Sequence, residues 1–291
     1  MGPVRLRSPL FAPGDSERKM TKAIASAADV VILDLEDSVA ASAKPAARAM
    51  VADVVRTHPG RALIVRINPR GTPWYLDDLA AVVPARPAAV MLPKCSGPED
   101  LGILGHHLQA LETEAGVPAG SIAVVAIVTE TAGSVFTLGL YAATASRLLA
   151  ICFGAEDLSA DLGISPRRPD GSYPAPVTLA RAQVLLAAGA LGVPAIDTPY
   201  PDHRDPIGLR READAAAADG FAGKILIHPA QIDPVNAAFT PSLEQVRWAK
   251  KVSAAFAANP DTGVFALDDK MIDRPHWKLA RRILTAAGEG D

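Results

Sequence analysis

The 291-residue chain carries only two cysteines, Cys95 and Cys152, far apart and without any C-x-x-C spacing. That argues against a disulfide framework and fits a reducing compartment, so a cytoplasmic location is expected. Aromatic residues make up only 5% of the chain, and no basic cluster interleaves with them. A nucleic-acid-binding surface is therefore not expected. The longest apolar run, Ile122–Val128, is seven residues, far too short to span a membrane. Arg5 and Arg7 are followed by no apolar h-region, so no signal peptide is expected. Net charge is only −3, with both signs spread along the chain. Small molecules remain as the expected partners.

What the chain does have is apolar material, 49% of its residues. That is enough for a large core, and the length suits one α/β barrel with an appendage. Short apolar runs recur, each ending in polar or turn residues: "PLFAPGD", "VVILDLED", "ALIVRINPR", "AAVMLPK", "IAVVAIVTE", "LLAICFGAED", "VPAIDTPY" and "KILIHP". Ala-rich segments of helical character lie between them. "DSERKMTKAIASAA" offers Asp15 as N-cap and Met20, Ile24 and Ala27 on one face; "DPIGLRREADAAAADG" stops at Gly220. Runs this apolar argue for parallel strands buried on both faces. Eight of them predict a (β/α)₈ barrel, with an open doubly wound sheet as the alternative.

Two regions break the rhythm. Residues 161–176, "DLGISPRRPDGSYPAP", hold four prolines and two glycines and read as a long loop after the sixth strand. Beyond residue 239 the pattern changes. "TPSLEQVRWAKKVSAAF" predicts a helix with Thr240 at the N-cap, Pro241 at N1, and Leu243, Val246, Val252 and Phe256 along one side. Two short strands around Asp268-Asp269 and a last helix follow. We therefore expect a barrel over residues 1–239. Residues 240–291 are expected as an extension that packs on the barrel or on a neighbouring subunit.

In a parallel barrel the strand C-termini emerge on one face, where chemistry collects. The expected ends carry Asp34, Glu36 and Asp37, then Arg66 and Asn68, Lys94, Glu130, Glu156 and Asp157, Asp197 and His228. So many acids cannot crowd together ionised without compensation. A divalent metal would supply it, and the shortage of Cys and His points to oxygen ligands and hence Mg²⁺ or Mn²⁺. Glu130 and Asp157, at adjacent strand ends, are the expected ligands. The plain alternative is that such acids cap helices or pair with bases.

Period two places Asp34 and Glu36 on one face, where they could orient Arg66 on the next strand. Arg66 could then hold an oxyanion, or simply form an ion pair at the barrel mouth. Lys94 could form a Schiff base, or pair with the spare acids. The turn at Gly154-Ala155-Glu156 offers backbone N–H groups to a substrate carboxylate. His228 has no second histidine near it in sequence and reads as structural.

In order, "LFAPGDSERKMTKAIASAADVVILDLEDSVA", "VRIN", "MLPK", "TETA", "FGAEDLSADLG", "IHPAQI" and "DDKMID" resemble the HpcH/HpaI aldolase/citrate lyase family, in its citrate lyase β-subunit-like branch. The resemblance spans essentially the whole chain. It implies a barrel of the phosphoenolpyruvate/pyruvate-binding type, with Mg²⁺, and a homo-oligomer, a trimer or hexamer. It further implies cleavage or formation of a C–C bond between a 2-oxo acid and an acyl thioester, often of CoA. By motif, Glu130 and Asp157 fall on metal ligands and Arg66 on the group that holds the thioester enolate. Asp273 falls on an acid brought in by a neighbour's tail, and Arg18 and Lys22 lie where relatives bind CoA phosphates. Glu36 and Asp37 complete the expected catalytic set, and Asp34 joins the substrate-binding set. The expected reaction is a retro-Claisen cleavage of a malyl-, citramalyl- or citryl-type thioester. A lyase subunit working on a carrier-protein thioester and a thioester-free, pyruvate-forming aldolase are the alternatives. The chain departs from the family pattern at Gly133, where many relatives have Arg, and at Asp269, where many have Gly.

Overall fold

The computed structural model describes residues 4–258, 263–268 and 270–289, with the side chains of 142–145 excepted; Asp269 and the 260–262 stretch lie outside the described residues. Eight strands line up in chain order: β1 (Pro9–Pro13), β2 (Val30–Asp34), β3 (Leu63–Arg66), β4 (Ala89–Leu92), β5 (Ala123–Ile127), β6 (Leu148–Cys152), β7 (Ala195–Asp197) and β8 (Gly223–Lys224). Each pairs in parallel with the next. The return helices are α1 (Glu17–Ile24), α2 (Lys44–Thr57), α3 (Tyr75–Val82), α4 (Pro98–Glu114), α5 (Ala132–Val135), α6 (Ala155–Asp161), α7 (Ala175–Leu191) and α8 (Pro206–Asp219), with α9 (Ile232–Ala238) after the last strand.

The barrel closes, which removes the open-sheet alternative. Lys224 N–H donates to the Arg7 carbonyl (2.9 Å), Leu226 N–H to that of Pro9 (2.8 Å), and Phe11 N–H to that of Leu226 (2.9 Å). Gly223 permits this seam, because a Cβ there would fall 1.8 Å from the Leu6 carbonyl oxygen.

Period two decides what fills the barrel. Val30, Ile32, Ile64, Met91, Val125, Ile127, Cys152 and Ile196 belong to one buried apolar cluster. The same parity carried upward brings Asp34, Arg66, Thr129, Gly154 and Thr198 above that plug. It also sends Asp197 outward, because its neighbour Ile196 faces in. Asp197 is therefore not among the acids at the mouth; it is buried against Arg181 and Lys224.

The chain divides into two compact units, residues 1–235 and 236–291. The second contains α10 (Leu243–Ala258), the antiparallel pair β9 (Val264–Leu267) and β10 (Lys270–Asp273), and α11 (Arg274–Ala287). It has its own small core of Ala249, Val252, Phe256, Ile272 and Ala280, with Phe256 edge-on to Phe265 at 4.8 Å. Among the described residues no helix is long and apolar enough to cross a membrane.

Helix starts differ from the sequence expectation. Ser16, not Asp15, is the N-cap of α1, and that helix ends at Ile24, leaving Ala27 outside it. Ser242, not Thr240, precedes α10, because Ser242 N–H donates to Gln245 Oε1 (2.8 Å) and Gln245 N–H to Ser242 Oγ (3.2 Å). That reciprocal pair is the stronger cap. Thr240 instead donates to the Asn236 carbonyl (2.6 Å), and Leu243 is exposed.

Candidate active site

Asp34 and Arg66 stand opposite each other in the β2–β3 register. Arg66 donates from Nε and Nη2 to the two Asp34 oxygens, both at 2.7 Å. Phe11 lies under the guanidinium, 4.4 Å from ring centroid to Cζ. The third nitrogen, Nη1, lies 3.0 Å from Glu36 Oε2 but makes no hydrogen bond to it, and that oxygen is buried without a hydrogen-bond donor. Burial opposes the charge on Asp34, yet Arg66 outweighs it and holds the carboxyl below its ordinary range. Glu36 moves the other way: burial dominates and raises it against the pull of Arg66.

The turn after β2 is fixed from below. Lys44, buried at the start of α2, donates to the Leu35 and Glu36 carbonyls (2.8 and 2.9 Å), and Asn68 Nδ2 donates to that of Leu35 (2.9 Å). Asp34 accepts from the N–H groups of Glu36 (2.9 Å) and Ser38 (3.2 Å). These bonds hold Glu36 over the barrel.

Lys94 pairs with the surplus acids. Its Nζ lies 2.7 Å from Glu36, 3.5 Å from Asp37 and 3.9 Å from Asp157. Burial opposes its charge, but the Glu36 bond and the nearby carboxylates hold its pKa above the ordinary value. A lysine kept protonated is a poor Schiff-base nucleophile. Its backbone sits at φ +50°, a region lysine enters at a cost, and its N–H there donates to the Glu130 carboxylate.

Glu130 and Asp157 are the acids that could hold a metal. Burial, with Asp157 and Glu36 adding to it, pushes the Glu130 carboxyl up to about 8 despite the Lys94 N–H. Among the described residues no group of three or more His, Cys, Asp or Glu side chains could hold an ion. Two carboxylates with the remaining positions left to water and substrate oxygens fit Mg²⁺. A buried carboxylate short of positive charge, with the more exposed Asp157 beside it, fits the same group. Asp161 ties α6 back to this region by accepting from Ala132 N–H (2.7 Å).

The other expected residues lie elsewhere or are already engaged. Gly154 N–H donates to Thr129 Oγ1 (3.0 Å) and Ala155 N–H to Thr198 Oγ1 (3.2 Å). Glu156 pairs with Arg167 at 2.9 Å. Arg18 and Lys22 are exposed on α1. His228 caps the following turn through Nδ1 and stacks on His203 at 4.5 Å; burial, His203 and Lys22 lower its pKa. Asp273, in the second unit, precedes α11 and pairs with His276 at 2.5 Å. Sequence reading passed over Phe11, Thr129, Thr198 and Arg167. Only the threonines left a trace, each two residues beyond an inward strand position.

A family model described as HpcH/HpaI aldolase/citrate lyase matches residues 7–229. The chain is 41% identical over 282 residues to the citrate lyase subunit beta-like protein of Mycobacterium tuberculosis, covering 96% of this chain and 95% of that one. It is 33% identical over 299 residues to the mitochondrial citramalyl-CoA lyase of Rattus norvegicus, covering 97% and 86%. Among solved structures, CitE from Mycobacterium tuberculosis in complex with magnesium, acetoacetate and coenzyme A matches with a TM-score of 0.77 at 38% identity, covering 97% of this chain and 98% of that one.

Proposed function

The chain belongs to the HpcH/HpaI aldolase/citrate lyase family and is a lyase, and from that premise we propose that it cleaves or forms a β-hydroxyacyl-CoA thioester. The substrate is of malyl, citramalyl or citryl type, and the products are acetyl-CoA or a related acyl-CoA and a 2-oxo acid. One observation carries this reading: Arg66 is locked by Asp34 while Nη1 and the bare Glu36 Oε2 remain without a hydrogen bond between them.

Glu130 and Asp157 would hold Mg²⁺, which when bound supplies positive charge for the carboxylate and hydroxyl oxygens of the substrate. The chain's own groups do the rest. Cleavage moves the C–C electron pair toward the thioester, so charge grows on its carbonyl oxygen. Arg66 meets that charge with a donor fixed in advance by Asp34 and Phe11, at no cost of reorganisation. Glu36 takes up the hydroxyl proton; Lys94 balances its charge beforehand, and the like charge of Asp37 favours the proton's arrival. Asp273, from the tail of a neighbouring subunit in a trimer or hexamer, returns a proton to the enolate carbon. Arg18 and Lys22 contact the CoA phosphates from the surface of α1.

The test is product formation from acetyl-CoA or propionyl-CoA with glyoxylate, pyruvate or oxaloacetate. Purified protein is used with Mg²⁺, with a chelator as control, and products are read by mass spectrometry. A Mg²⁺-dependent hydroxyacyl-CoA formed by the chain alone supports the reading. Activity only with a carrier-protein thioester and partner subunits would replace it with a role inside a lyase complex. Turnover of free hydroxy-oxo acids alone would make the protein an aldolase without a thioester.

A further inference from the structure

A buried charge network lies on the outer side of β7 and β8. Lys224, wholly buried, contacts Asp197 at 2.9 Å and Glu212 of α8 at 2.5 Å. Asp197 also accepts from Arg181 Nε (3.0 Å). Arg181 also pairs with the half-exposed Asp219 at 2.5 Å, so these five side chains are two cations and three anions. Arg167 joins them from the loop after α6 as the third cation. It donates from Nη2 to Glu212 (3.1 Å) and to the Pro199 carbonyl (3.3 Å), with its guanidinium over the rings of Tyr173 and Tyr200 at 5.1 and 5.6 Å. Tyr173 O–H donates to the same Glu212 (2.9 Å).

Three cations thus meet Asp197, Glu212 and Asp219, and Arg167 reaches one acid more. That acid is Glu156, 2.9 Å from Nη1. Glu156 precedes Asp157 in the first turn of α6, a seven-residue helix with no side-chain cap. The Thr129 and Thr198 hydroxyls also hold the start of that turn. Asp157 already has a competing cation, Lys94 Nζ at 3.9 Å. We propose that Arg167 is a positioning residue: through Glu156 it fixes the first turn of α6, so that Asp157 faces the metal position beside Glu130. Anchoring on Glu212 and between two tyrosine rings makes Arg167 rigid enough for that task.

The inference rests on the reading of Asp157 as a metal ligand, so the test separates the two. Mg²⁺ binding to the full chain, without substrate, is measured by calorimetry for the wild type, Asp157→Asn, Arg167→Met, Glu156→Gln and the double variant, with melting temperatures alongside. Groups that orient a metal ligand are worth about 10–100-fold in affinity. Arg167→Met and Glu156→Gln should each weaken Mg²⁺ binding by roughly tenfold or more, and the double variant no further, because both cut one tie. Glu156 is half exposed, so Glu156→Gln decides the matter even if Arg167→Met fails to fold. Unchanged affinity in Glu156→Gln, with Asp157→Asn deficient, overturns the positioning role. Losses that add in the double variant also overturn it. Unchanged affinity in Asp157→Asn overturns the metal reading itself, and the inference with it.

Discussion

Gly154 lies so close to Glu130 that a methyl group on its Cα would sit 2.7 Å from the Glu130 Cγ. The same methyl would be 3.1 Å from Ile127 Cγ2. The ends of β5 and β6 can close on each other only because this position is bare. Gly154 has φ −111°, which any residue adopts, so Gly154→Ala should fold. It should displace Glu130 and weaken Mg²⁺ binding by on the order of tenfold, the scale set by disturbing a ligand's support. Calorimetric titration checks this; wild-type affinity would show that Glu130 yields without cost.

Arg66→Lys keeps the charge and loses the planar fork. Lysine cannot make both 2.7 Å bonds to Asp34 and still present a donor beside Glu36. Turnover should fall by about 10²–10³, as for loss of an oxyanion donor, while KM changes less. A variant that raises only KM would make Arg66 a binding group and remove its proposed role at the enolate.

Asp197 sets a pH dependence of stability. It is fully buried; burial alone would raise its pKa, but Lys224 and Arg181 outweigh burial and lower it. The unfolded chain titrates near ~3.9. A depressed folded value means the stabilisation is present above that pH and is lost as pH falls through the folded value. Asp197→Asn leaves two buried cations short of an anion and should cost about 3–5 kcal/mol at pH 7. Urea unfolding at pH 7 and in strong acid should show the gap between wild type and variant closing in acid.

Asp273 acts in trans if the tail serves a neighbouring subunit. Arg66→Ala and Asp273→Asn should each be nearly inactive, and a mixture with confirmed subunit exchange should recover activity. No recovery despite exchange would place Asp273 on its own barrel or outside the chemistry.

The strands, their count and the pairing of Asp34 with Arg66 were legible because each follows from local patterning: apolar runs, period two, and neighbouring strands. Barrel closure was not, since the seam joins Arg7 and Pro9 to residues more than two hundred positions away. Nor was the direction of Asp197: in "VPAID" both faces are apolar enough to face inward, and only register decides. Nor were the partners of the Gly154 and Ala155 amides, because Thr129 and Thr198 come from other strand ends. Arg167 gave no signal, because a basic residue in a proline-rich loop usually meets solvent.

The opposition of Asp34 and Arg66 across β2 and β3 bears on how the chain finds its fold. A strand shifted by one residue turns every side chain to the other face. Here such a slip of β3 would carry Arg66 out of the barrel and leave Asp34 buried without its cation, a penalty of several kcal/mol. Hydrophobic runs alone would tolerate that slip, because β2 and β3 are apolar on both sides. The pair of charges thus acts as a pin for strand alignment, and a chain that misaligns these two strands is rejected by that pair.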